Sequence, residues 1–179
     1  QDSLLRQFQP YYTVNSNVGN EQIKRFLHDF NQGIPGLPKE YVELIANQLK
    51  QVYQTGIVST PEYNRIYKDS TSMIRIISGK NAKSFPIGNF YSTIAAYEHI
   101  FFDEKISAQR QILSRCNLND YVEPNLIYDK ERSEAERTDL LSSIPLASGM
   151  VMSGQKIIDR GEVINDYTYR VLNSFDKET

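Results

Sequence analysis

Residues 122–175 read VEPNLIYDKERSEAERTDLLSSIPLASGMVMSGQKIIDRGEVINDYTYRVLNSF, and the order of signals in this stretch decides the fold class. Pro124 fixes an extended approach and withholds an amide donor. Ser133-Glu134-Ala135-Glu136 has the Ser-x-x-Glu form of a capping box, in which hydroxyl and carboxylate satisfy the free amides of a helix start. A helix is therefore expected over residues 134–143, closed by Pro145. Met150-Val151-Met152, Lys156-Ile157-Ile158 and Glu162-Val163-Ile164 are short β-rich runs separated by Ser153-Gly154 and Arg160-Gly161, where glycine supplies turns. Asn165 is placed to cap a last helix marked by Tyr169, Leu172 and Phe175.

Upstream the pattern is helical. Ile23, Phe26, Leu27 and Phe30 fall at helical spacing after Asn20, and Gly33 with Gly36 ends the segment, so a helix is predicted over residues 21–32. Pro38 suits the first turn of a second helix carrying Tyr41, Leu44, Ile45, Leu49, Val52 and Tyr53, with Gly56 as its stop. The two should pair. Thr60-Pro61 opens a short helix; Met73 to Ile77 reads as a strand, Ser78-Gly79-Lys80-Asn81 as a turn, and Lys83 to Ile87 as the returning strand. Helical spacing resumes from Tyr91 through Ile94, Ala95, Tyr97 and Ile100, and a further helix is predicted over residues 106–115. The expected class is α+β: a helix-rich lobe with a short β-hairpin over residues 1–117, then residues 118–179 with a helix, a glycine-turn β unit and a terminal helix. The two segments can share one core.

Composition narrows the function. The 179 residues are 40% hydrophobic and 23% charged with a net charge of −2, a globular balance that gives no electrostatic case for nucleic acid or an anionic membrane as partner. No apolar run approaches the roughly 20 residues of a membrane span, and no signal-peptide pattern begins at Gln1. The single Cys116 excludes an internal disulfide and is compatible with either side of a membrane.

Candidate chemistry is thin. His28-Asp29 is the adjacent pair that an HD phosphohydrolase uses as metal ligands, but such a site also needs a histidine upstream, and His99, the other histidine of the chain, lies downstream. His28 reads as a surface residue of the first helix. Cys116 has no local nucleophile signature and reads as a structural thiol. Asp103-Glu104, Glu131 with Glu134, and Asp159 with Glu162 read as solvated surface charge. Gly154 and Gly161 fit no phosphate-binding loop and read as turn residues. Neither catalytic nor metal-ligating residues emerge, and no cofactor is expected for this chain. Twelve tyrosines and eight phenylalanines without tryptophan leave room for an aromatic recognition groove around Tyr11-Tyr12 and Phe90-Tyr91, although most such rings belong to cores.

The ordered set Val122, Pro124, Asn125, Leu126, Tyr128 and Asp129, then Gly154, Ile157, Ile158, Gly161, Glu162, Val163 and Ile164, closing on Tyr169 and Leu172, resembles the C-terminal part of the extracytoplasmic domain of the seven-transmembrane HD receptor family. The likeness covers the last third of the chain; residues 1–117 fit it as a helix-rich region with a β insertion. It implies a parent with an N-terminal anchor, this domain outside the cytoplasm, a seven-helix membrane bundle and a cytosolic HD domain that hydrolyses cyclic di-AMP. A divalent metal belongs only to that HD domain. On this reading Pro124, Asn125, Asp129, Gly154, Gly161 and Glu162 are mainly structural, the domain is a non-catalytic sensor, and the helix over residues 166–174 leads to the membrane bundle. Its partners would be that bundle and an external ligand or envelope protein. A different reading is an envelope scaffold module that recognises peptide, glycan or protein through aromatic surface; a small hydrolase with an acidic site is the weakest.

Overall fold

The computed structural model of the chain describes residues 8–69 and 72–142. The glycine-turn unit with Gly154, Gly161 and Glu162, and the terminal helix expected over residues 166–174, lie outside the described residues. Within them the fold is α+β.

The first helix, α1 (Asn17–Asp29), buries Gly19, Ile23 and Phe26, and begins earlier than predicted because the Asn15 side chain accepts a hydrogen bond from the Asn17 amide at 3.2 Å. Gly33 and Gly36, at φ 94° and 89°, turn the chain into α2 (Glu40–Thr55). Helix α2 buries Tyr41, Ile45, Leu49 and Val52 along one stripe, together with Tyr53, and ends at Gly56, whose φ of 108° is closed to most side chains. After β2 (Ile57–Val58), Ser59 caps the short α3 (Thr60–Ile66).

The predicted hairpin forms as β3 (Met73–Ser78) and β4 (Asn81–Pro86), with Gly79 at φ 62° in the turn. It is not an isolated insertion. Strand β1 (Tyr11–Val14) runs parallel to β3, and β6 (Leu126–Tyr128) runs antiparallel to β1, giving the order β4-β3-β1-β6. Both added strands are too short to show alternation in sequence, and each exists through its neighbours. A second, two-stranded sheet pairs β2 with β5 (Tyr91–Ser92) in parallel.

Helix α4 (Thr93–Ile100) follows. The single helix predicted over residues 106–115 is broken into α5 (Glu104–Ala108), α6 (Arg110–Leu113) and a 3₁₀ turn (Ser114–Cys116). Asp103 accepts amide hydrogen bonds at the start of α5, and Gln109, at φ −107° and ψ 20°, interrupts the backbone between the two helices. The last described helix, α7 (Lys130–Ser142), starts four residues before the expected position. Its capping oxygen belongs to Asp129, which accepts from the Arg132 amide at 2.9 Å. The Ser133–Glu136 capping box therefore does not form: Asp129 already serves the helix start, and both residues are drawn into the interior.

Two apolar clusters hold the elements together. Phe26, Ile45, Leu49, Ile100, Leu118 and Tyr121 belong to the one built on α1 and α2, while Tyr12, Val58, Ile74, Ile76, Phe85 and Leu126 belong to the one beneath the sheet. Both draw residues from either side of position 117. The joint between them is Asn125, 1% exposed. Its Oδ1 accepts from the Ile57 amide at 2.7 Å and its Nδ2 donates to the Tyr53 carbonyl at 3.0 Å. Its own amide donates to the Ile57 carbonyl, and its carbonyl accepts from the Asn15 amide. The Tyr53 hydroxyl completes the joint, donating to the Tyr121 carbonyl and accepting from the Glu123 amide.

Replacing Asn125 by Ala leaves a buried amide and a buried carbonyl without partners, at about 1–3 kcal/mol for each; urea unfolding should show the loss, and an unchanged midpoint would contradict the joint. At Gly56 an added Cβ would stand 2.9 Å from the Phe90 ring and 3.2 Å from Leu126, whereas at Gly79 nothing lies within 4 Å. Gly56→Ala should therefore destabilise clearly more than Gly79→Ala in the same assay, with equal costs arguing against the close packing.

Burial first, then neighbouring Glu62, raises the Tyr12 hydroxyl pKa; burial raises that of Tyr53, and burial with Asp29 takes Tyr121 up to about 12. Each hydroxyl would ionise near 10 in the unfolded chain. The folded state holds its protons longer, so this stabilisation is whole below pH 10 and is lost as pH rises through Tyr121's value of about 12. Thermal unfolding should show a flat melting temperature from pH 7 to 9 and a fall above 10, shallower in Tyr53→Phe.

Candidate functional site

Helices α1 and α2 do not close against each other along their whole length. Between them lies an open cleft of about 550 Å³. Its floor is apolar: Ile23, Leu27 and Phe30 come from the α1 side and Val42 with Ala46 from α2. Leu27 is 43% exposed at the mouth. The connection over residues 30–38 sets the separation, since its Ile34 is 2% exposed and anchors in the core, while Gly33 and Gly36 take the positive-φ turns that let it do so.

The rim is polar. Asn31, Lys39, Glu43, Asn47 and Lys50 surround the floor, and none of these side chains makes a hydrogen bond or ion pair among the described residues. An apolar floor with a few convergent polar groups is the usual form of a small-molecule site.

A second feature joins the sheet to α7. That helix turns Ser133, Glu136 and Leu140 inward, so two of its three buried residues are polar. Ser133 Oγ accepts from the Tyr11 amide at 2.7 Å, and the Asp129 amide donates to the Tyr11 carbonyl. Glu136 meets Arg75 of β3 at 3.6 Å, with side chains 5% and 10% exposed. Arg75 Nη1 also donates to the Tyr11 hydroxyl at 2.6 Å, and the guanidinium groups of Arg75 and Arg132 each lie 5.2 Å from the Tyr11 ring centre. A buried ion pair adds little net stability but strongly penalises a wrong or half-formed arrangement. It fixes where α7 sits.

The four aromatic residues read from the sequence as groove candidates are not gathered on one open surface. Tyr11, Tyr12 and Phe90 are 5%, 1% and 5% exposed; Tyr12 donates to Glu62 at 3.0 Å, and Phe90 packs edge-on against Phe85. Tyr91 is half-buried beside His99, with its hydroxyl 3.3 Å from Nδ1. Pro124 and Asn125 stand at the joint between the clusters, and Asp129 caps α7.

His28 is exposed on α1, and Asp29 accepts from the Tyr121 hydroxyl at 2.6 Å and pairs with Arg25 at 3.8 Å. Cys116 packs partly buried against the first cluster, and burial pushes its thiol pKa up, which makes it a weaker nucleophile. Among the described residues no group of three or more His, Cys, Asp or Glu side chains is arranged to hold a metal ion. Sequence reasoning missed both the cleft and the Arg75–Glu136 pair. Leu27 and Val42 had the right character to flag the cleft, but only the splay of two helices makes an opening.

Among the described residues no helix is long and apolar enough to cross a membrane. Comparison with curated proteins and with solved structures returned no match. The family of extracellular domains described as 7TM-HD extracellular matches residues 1–177, including the N-terminal lobe that the motifs of the last third left loosely placed. The chain therefore belongs to the 7TM-HD extracellular family and is an extracytoplasmic sensor domain of a seven-transmembrane HD protein.

Proposed function

We propose that this domain regulates a cytosolic HD phosphohydrolase of the same polypeptide, which hydrolyses cyclic di-AMP with a divalent metal of its own, and that the domain does no chemistry itself. Family membership over residues 1–177 is the observation that carries this reading. The commitment of Asp29 to Tyr121 and Arg25, and the raised thiol of Cys116, support a role without catalysis. The partner is the protein's own membrane bundle, approached through the chain beyond α7.

Regulation requires two arrangements of the domain that an external ligand binds unequally, because equal affinity shifts nothing. Helix α7 is suited to report between them. Its inward face is mostly polar, so its seat depends on the Ser133 and Glu136 contacts being made together rather than on graded apolar burial.

The test uses the full-length protein in membrane vesicles supplied with Mn²⁺. Cyclic di-AMP should be hydrolysed, and Glu136→Gln should change the rate by about fivefold or more, the scale of ordinary coupling free energies. The pair Arg75→Met with Glu136→Leu, which removes both charges, separates loss of coupling from loss of folding. Absence of turnover overturns the enzymatic half of the reading; turnover indifferent to these changes and to deletion of the domain overturns the regulatory half.

A further inference from the structure

The geometry points to the cleft between α1 and α2 as a binding site for a short apolar peptide with free ends, about three residues long, seated along α2. The inference deepens the sensor reading and names its ligand class. The spacing of charge along α2 carries it. Glu43, Asn47 and Lys50 occupy one edge of the cleft at positions i, i+4 and i+7, with Lys39 one turn before Glu43 at the end of that edge, and a helix rises about 1.5 Å per residue, which sets the Glu43 carboxylate-bearing and Lys50 ammonium-bearing positions roughly 10 Å apart along the axis. An extended chain covers roughly 3.3–3.6 Å per residue, so a tripeptide has about that length between its ends.

The chemistry matches in the same order. Glu43 faces the peptide ammonium, Lys50 faces the peptide carboxylate, and the Asn47 amide, both donor and acceptor, lies between them at the level of the peptide bonds. Apolar side chains then meet Ile23, Leu27 and Ala46 on the floor. These three rim groups have no partner among the described residues, and a ligand seated beside them would supply one to each. A fatty acid would use a lysine and the floor but leave Glu43 beside its acyl chain, which the charge pattern disfavours. The cleft's volume of about 550 Å³ suits a small ligand rather than a folded partner.

Calorimetric titration of the 179-residue chain with trileucine, its N-acetyl form, its C-terminal amide, and laurate tests the assignment. Trileucine should bind saturably, and capping either end should weaken binding about tenfold or more. In Glu43→Gln the acetyl cap should no longer matter, in Lys50→Gln the amide should no longer matter, and Lys39→Gln should preserve both effects. Leu27→Asp, a change at an exposed position, should abolish binding with the fold intact by circular dichroism. No heat with trileucine at millimolar concentration overturns the proposal, as does binding that ignores both caps. Laurate binding in place of the peptides assigns the cleft to a lipid acid and also overturns it. If trileucine binds as described yet leaves hydrolysis in vesicles unchanged, the sensor reading fails and the site stands.

Discussion

Every backbone and side-chain polar group of Asn125 is spent on another part of the chain, and the fold depends on that arrangement. The side chain clamps the backbone on both sides of Gly56, where α2 ends and β2 begins. The residue's own backbone reaches Ile57 and Asn15. Three segments distant in sequence, at Asn15, at Tyr53 to Ile57 and at Asn125, thereby meet at a buried site. Gly56 is glycine for two reasons that coincide: its φ is positive, and the ring of Phe90 occupies the space a side chain would need. Pro124 directs the chain into this joint, and Tyr53 closes it from below through its hydroxyl.

From the joint, the chain continues through β6 along the edge of the sheet and into α7. Adhesion of α7 differs in kind from adhesion of α1 and α2. Those helices bury continuous apolar stripes, which tolerate small shifts because burial is nondirectional. Helix α7 instead offers a hydroxyl and a carboxylate to partners fixed on β1 and β3, so displacement leaves charged or polar groups stranded in a dry interior. Such an element has few intermediate positions. That property suits a helix that leads into the remaining residues of the domain.

The cleft sits at the other side of the first cluster, where α1 and α2 part. The connection over residues 30–38 buries Ile34 instead of tightening into a minimal turn, so the helices are braced apart at that end. Apolar surface at the floor stays accessible while the flanking stripes are covered. The cleft is lined by residues of and around the first cluster, whereas α7 is held by Tyr11 and Arg75 of the sheet, which belong to neither cluster.

Local signals were enough for the helices of residues 17–66, the hairpin and its glycine turn, and the α+β class, because each rests on periodicity or on a residue with a restricted backbone. The ordered motif of the last third was enough to indicate the family. Tertiary structure alone decided the rest. Strands β1 and β6 are too short for alternation to reveal; β3 supplies the neighbour of β1, and Asn125 and Ser133 hold its ends. Ser133 and Glu136 looked like a capping box because spacing of that kind is local, but a cap competes with any partner that folding brings near. Asp129 took the helix start, while Tyr11 and Arg75 took the two residues inward. Tyr11 and Tyr12 looked available for recognition because aromatic content says nothing about which side of a strand meets a core. The cleft was invisible for the same reason: its residues are an ordinary amphipathic pattern until two helices are held apart.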